Sequence, residues 1–184
     1  MPFYEVFHSY PLSSEQRQSL ASAITKLHCE TFTTPSFFVH TRFNVQHASD
    51  GTYFMAGKPR LTNCNRITGV VRTSPARTKS DFDALAASIE AAWHDVVGQA
   101  QPENGGGTFH PEADSRRLLM VMFVPMVTIR EGGMEIPEAG HEGSWLISQL
   151  PYIKKMADGG GVDDFGDLMK EINTREDLKH LLEM

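Results

Sequence analysis

Pro2-Phe3-Tyr4-Glu5-Val6-Phe7-His8 sets the plan of the chain. Aromatic and β-branched residues dominate this run and Tyr10-Pro11 closes it, which predicts a short strand. Pro2 suits the first position, because a proline has no N–H to give to a neighbouring strand. Just beyond, Ser13 reads as a helix N-cap, and Gln16 three residues on completes a capping box. Leu20, Ile24 and Leu27 then recur on one helical face, so the helix is expected to run to about Cys29. Turn residues at Thr33-Thr34-Pro35 precede a second strand, FFVHTRFNVQ, from Phe37 to Gln46. The chain thus opens as β-α-β.

The same plan then repeats. Asp50-Gly51 and Gly57-Lys58-Pro59 mark a loop or hairpin, and Arg66 to Arg72 reads as a third strand. Ser80 is expected to cap a second helix with Asp83 in the box position, and Phe82, Leu85, Ile89, Trp93 and Val96 follow at helical spacing up to Gly98. A loop through Pro102 and Gly105 to Gly107 ends near Asp114. Leu118 to Val124 is short and almost wholly apolar, which predicts a buried fourth strand. Right-handed crossovers make the strands parallel within each unit. The expected fold class is therefore α/β (α+β), a four-stranded sheet with two helices on one face. Its other face needs a cover, either the C-terminal segment or another subunit, and oligomerisation is the economical answer.

Past the sheet, Thr128 to Gly143 reads as a loop with a short hairpin at Met134 to Ile136, and Trp145 to Met156 as a helix that Pro151 breaks or kinks. The glycines from Gly159 to Gly161 set off a tail, Asp164 to Met184, whose Phe165, Leu168, Ile172, Leu178, Leu181 and Leu182 suggest one or two short helices. The expected division is a main domain over residues 1–150 and a helical extension over 151–184.

Composition narrows the function. A formal charge of −6 and a pI near 5.7 argue against nucleic acid or an anionic membrane surface as partner. Cys29 and Cys64 have no zinc-like spacing, which fits a reduced interior, and the N-terminus lacks the apolar core of a secretory signal. No run approaches the roughly 18 consecutive apolar residues of a membrane span. A cytoplasmic location is expected. The eight histidines show no His-x-x-x-His pattern, the triple glycines lack the Lys-Ser or Lys-Thr of a phosphate loop, and Ser144 has no nucleophile elbow. Neither a metal nor another cofactor is implied.

The N-terminus offers a candidate for chemistry beside the structural role of Pro2 as a strand's first residue. If Met1 is removed, the ring nitrogen of Pro2 becomes a secondary amine that can carry and release a proton. Arg72 supplies a planar fork able to grip a carboxylate with two parallel bonds. His28 is placed in the last turn of the first helix, where the dipole favours a cationic imidazole. Phe3, Phe7 and the fourth strand are expected to form a dry wall around the amine.

Four stretches carry a family resemblance: Met1 to Val6 (MPFYEV), Ala23-Ile24-Thr25 followed by His28, Gly69 to Arg72 (GVVR), and Pro137 to Gly143 (PEAGHEG). Together, over residues 2–150, they resemble the tautomerase superfamily, most closely its cis-3-chloroacrylic acid dehalogenase-like group. That resemblance implies a homotrimer without cofactors that acts on a small carboxylic acid. It gives Pro2 the role of general acid or base, His28 and Arg72 that of binding and polarising the carboxylate, and Glu131 that of activating water. Arg77 is the nearest counterpart of a second family arginine, and Met120 falls where the family has a tyrosine. Tautomerisation of enols, hydration, or dehalogenation of 3-haloacrylates are the implied reactions. A non-catalytic trimeric scaffold or ligand-binding protein of the same fold is the alternative.

Overall fold

The structure is a computed structural model and describes residues 1–98, 114–159 and 163–183. The expected loop through Pro102 to Gly107, and Gly160 and Gly161, lie outside them. Strand β1, Phe3–His8, alternates half-buried and buried residues, with Tyr4, Val6 and His8 turned inward. Helix α1, Ser14–Phe32, begins at the expected capping box. Ser13 Oγ accepts from the Gln16 N–H at 3.1 Å and Gln16 Oε1 from the Ser13 N–H at 3.0 Å. No breaker intervenes before Thr33, which ends the helix in a left-handed conformation at φ 48, so α1 runs about a turn past Cys29. Ser36–Phe38 form a 3-10 turn, and strand β2, His40–Val45, begins after it.

A small hairpin, β3 (Phe54–Met55) with β4 (Lys58–Pro59), precedes strand β5, Asn65–Val71. Helix α2, Lys79–Val97, is capped by Thr78 with Asp81, two residues before the expected Ser80 with Asp83. The two patterns overlap. Asp81 Oδ2 takes the Thr78 N–H at 2.7 Å, whereas Asp83 is engaged by Lys79 one turn back. Strand β6 is Leu118–Pro125.

The sheet runs β2-β1-β5-β6, with β1/β2 and β5/β6 parallel and β1/β5 antiparallel, as two β-α-β units joined side by side require. Tyr4, Val6, Leu20, Ile24, Ile67, Leu85, Ile89 and Trp93 fill the space between the sheet and the two helices. At Gly69 a Cβ would lie 2.8 Å from the Phe123 ring and 2.9 Å from that of Tyr4, so the bare backbone is what lets those rings close edge to face. Only one side of β6 is covered. Met120, Met122 and Val124 are each about 40% exposed on the other face, which corrects the expectation of a strand buried throughout. Phe3 and Phe7 alternate with the buried residues of β1 and face outward too.

The C-terminal part does not cover that outer face. A second hairpin, β7 (Arg130–Glu131) with β8 (Met134–Glu135), leads to helix α3, Glu142–Asp158, then α4, Asp163–Thr174, and α5, Glu176–Glu183. Helix α3 starts three residues before Trp145 and continues through Pro151, so the 150/151 division falls inside it. These elements form a second core with Met1 and Phe38, in which Leu146, Ile153, Phe165, Leu168, Ile172 and Leu178 are buried. No helix among the described residues is long and apolar enough to cross a membrane.

Candidate active site

The chain terminus lies between the two cores. The backbone of His40 donates to Pro2 O at 3.2 Å, which fixes Pro2 against β2, and Met1 is only 2% exposed. Arg72, just past the end of β5, and Arg77, in the turn before α2, converge on one carboxylate, that of Glu142 at the start of α3. Arg72 Nη2 donates to Glu142 Oε1 at 2.9 Å, and Arg77 Nη2 donates to the same oxygen. Gly140 N–H holds Oε2 at 2.6 Å, and Arg72 Nη1 reaches Pro137 O at 2.5 Å. Arg77 also lies over the Phe32 ring, 4.8 Å from its centre. Two guanidinium groups so far from water need an anion, because the penalty for burying an unpaired charge exceeds that of burying a matched pair. Arg72 Nε is buried and has no partner.

This setting governs the terminal amine. Burial, then Arg72 and Arg77, lower its pKa from 8.0 to about 4, with Glu142 and Glu131 opposing. Desolvation and like charge both disfavour the cation, so at neutral pH the nitrogen is an unprotonated base. In the chain as it stands that nitrogen belongs to Met1, and Pro2 N is an amide one residue away.

His28 departs from the expected cation of a helix's last turn. It is 1% exposed, one turn before the end of α1, and burial, the amine, Arg77 and Arg72 bring its pKa down to about 3. The neutral ring meets Tyr4 Oη through Nδ1 at 2.9 Å, while Nε2 is buried without a partner. Burial also moves the Tyr4 phenol upward, so it stays protonated. If Tyr4 donates to Nδ1, the proton of the imidazole sits on Nε2 as a spare donor.

Glu131 is within electrostatic reach of the amine. Its Oε1 is 2.7 Å from His40 Nε2, and its Oε2 is buried with no partner. Met120 lies on the outer sheet face and does not join the group. Phe3 and Phe7 do not form the dry wall either. Phe38, Ile136, Trp145, Leu146 and Leu181 do so, around a cavity of about 20 Å³ beside Met1 and Arg72, room for about one water.

The fold thus brings Met1, one residue from Pro2, together with Arg72 and Arg77, with His28 and Glu131 in electrostatic range. Reading the sequence missed Glu142, Tyr4 and His40. Glu142 stood within PEAGHEG, a stretch singled out without a role for its acid, and Tyr4 and His40 gave only strand signals. Among the described residues no cluster of three His, Cys, Asp or Glu could hold a metal ion.

A family model described as "Putative oxalocrotonate tautomerase enzyme" matches residues 1–145. Among solved structures, the chain is similar to N1, a member of the cis-3-chloroacrylic acid dehalogenase family, at 22% identity and a TM-score of 0.59, covering 85% of this chain and 99% of that one. It is also similar to the Q0 fused 4-OT wild-type symmetric trimer, at 14% identity and a TM-score of 0.52, covering 75% of this chain and 98% of that one. The R7 fused 4-OT wild-type asymmetric trimer gives 18% identity and a TM-score of 0.51, covering 72% and 94%. At such identities the likeness is one of fold. No curated protein matches the sequence.

Proposed function

The chain belongs to the oxalocrotonate tautomerase-type family matched over residues 1–145, and from that premise we propose that it is a cofactor-free enzyme using Pro2, freed by removal of Met1, as general acid and base on a small carboxylic acid. The observation that carries this reading is the terminal amine held near pKa 4 beside two buried arginines. A prolyl amine there occupies the same field. Burial is the largest cause of the depressed Met1 amine, so loss of Met1 lets water reach the prolyl nitrogen and makes it more basic than that amine, which suits a group that both takes and gives a proton.

The acid group of the substrate lies against Arg72 and Arg77, sharing them with Glu142 or displacing it, and the unpartnered Arg72 Nε is a ready donor. With an enol of an α-keto acid, Pro2 moves the proton to carbon while His28 Nε2 donates to the developing oxyanion. With an unsaturated acid, Glu131 takes a proton from water as its oxygen adds, and Pro2 protonates the neighbouring carbon. The apolar outer face with Met120, Met122 and Val124 is covered in a homotrimer. The extension past residue 150 closes the cavity through Leu181. The protein acts in the cytoplasm, with no nucleic acid or membrane partner.

Assays with phenylenolpyruvate and 3-haloacrylates, alongside the mass of the purified chain, test the proposal. Pro2→Ala is expected to lower kcat/KM by about 10²–10⁴-fold, and a variant as active as the parent rules out the proline mechanism. The second reading, a non-catalytic ligand-binding protein, is favoured by Met1 walling the small cavity beside Arg72 and by Glu142 pairing with both arginines. It predicts a mature mass that still includes Met1.

A further inference from the structure

Glu131 and His40 form a pair that runs from the interior to the surface. The Glu131 side chain is 14% exposed and that of His40 49%. They line a groove of about 610 Å³ together with Thr25, Ser36 and, from α4, Asp164 and Asp167. The two carboxylate oxygens have different surroundings. Oε1 is bound by His40 Nε2 at 2.7 Å, and Oε2 is buried and free of any partner. The ion pair with His40 thus engages only one oxygen of the carboxylate and leaves the other with its accepting capacity unused.

Both partners are held firmly. His40 is bonded through its backbone N–H to Pro2 O, and its ring stacks on Phe3 at 6.4 Å and 25°. Glu131 precedes Gly132 and Gly133, whose φ values of 57 and 84 make the tight two-residue turn of the β7/β8 hairpin. Tyr152 of α3 donates to Gly132 O at 2.9 Å and fixes the tip of that turn.

We propose that His40 is the positioning residue of Glu131: by donating to Oε1 it stops the carboxylate rotating and presents Oε2 as the base toward water beside the chain terminus. This rests on the reading of Glu131 given above. In that step an O–H bond of water breaks and its oxygen bonds to C3 of the unsaturated acid. The proton goes to Glu131 Oε2, and Pro2 gives its own proton to C2. Glu131 then releases a proton to bulk water and Pro2 takes one up, which closes the cycle; with 3-chloroacrylate the C3 halohydrin so formed loses its hydroxyl proton and chloride to water as the C3 carbonyl forms. Enol tautomerisation uses Pro2 with His28 and the two arginines, and does not need the pair.

The test is a comparison of His40→Ala and His40→Gln with the parent, on hydration of 3-chloroacrylate and on ketonisation of phenylenolpyruvate. His40→Ala is expected to lower kcat for hydration about tenfold or more with KM nearly unchanged, while ketonisation stays within about twofold. His40→Gln, which keeps an N–H donor, is expected to recover most of the lost hydration. The proposal is overturned if both reactions fall together, if neither falls, or if Gln is no better than Ala. A parent that ketonises but does not hydrate also overturns it and leaves the Pro2 mechanism standing, whereas a parent inactive on both probes overturns the proposed function itself.

Discussion

The molecule has two cores of different character. The first, between the sheet and helices α1 and α2, is built from residues that recur at strand or helix period, such as Tyr4, Val6, Ile24, Ile67, Leu85 and Trp93. The second gathers Met1 and Phe38 with the β7/β8 hairpin and α3 to α5, segments far apart in the chain. The charged cluster of Arg72, Arg77 and Glu142 lies at their junction, with the terminal amine and His28. The first core acts as a frame that aims Arg72 and the terminus, and the second closes around them and supplies Glu142. A site built this way is more exposed to damage from the second core than from the first.

The largest effect expected at the junction comes from pH. In the chain that keeps Met1, the amine moves from 8.0 to about 4 and His28 from 6.5 to about 3 on folding. Both folded values are depressed, so the unfolded chain binds more protons in these windows and the neutral groups favour folding above the unfolded pKa. Stability is therefore expected to fall as pH drops from about 8 toward 4, more steeply below about 6.5 where His28 joins, at up to about 1.4 kcal/mol per pH unit per proton. Urea unfolding across this range measures it, and His28→Gln is expected to remove the extra slope below 6.5. An unchanged slope in that variant would place the pH sensitivity elsewhere.

Glu142→Gln leaves two buried guanidinium groups without a counter-charge, at a cost of about 3–5 kcal/mol in unfolding free energy. Acrylate is then expected to stabilise the variant more than the parent, because it restores the missing charge. Equal thermal shifts with acrylate would show that the arginines do not take an outside acid.

Leu178→Ala, fully buried in the second core, is expected to cost about 2–5 kcal/mol and to speed amide exchange in α3 to α5 while β1 and β5 stay protected. Uniform loss of protection would mean that the two cores unfold as one. The smallest difference concerns the α2 cap. Thr78→Ala should cost about 1 kcal/mol and Ser80→Ala less than about 0.5, and chemical denaturation separates the two.

Much of the first core was legible because its signals are local. Ser13 with Gln16 announced α1, Leu85, Ile89 and Trp93 announced the buried face of α2, and the two β-α-β units gave the parallel pairs β1/β2 and β5/β6. The errors there were also local ones, between two overlapping caps at Thr78 and Ser80, or over which alternate residues of β6 meet the helices. His28 was misread for a different cause. Its place near a helix end suggested a solvated cation, but α1 continues to Phe32 and turns the ring inward against Tyr4. Glu142 could not be read at all, since nothing in Pro137 to Gly143 says which charge it will meet across the chain.

The sequence by itself determined the β-α-β repeat, the parallel strands within each unit and the candidates Pro2, Arg72 and Arg77, because period, capping and family motif act over short stretches. Only the tertiary structure decided that both arginines converge on Glu142, that His28 is a buried neutral base, and that the C-terminal helices enclose the chain terminus rather than the open sheet face. Burial sets the charge state of each of these groups, and burial is a property of the folded whole.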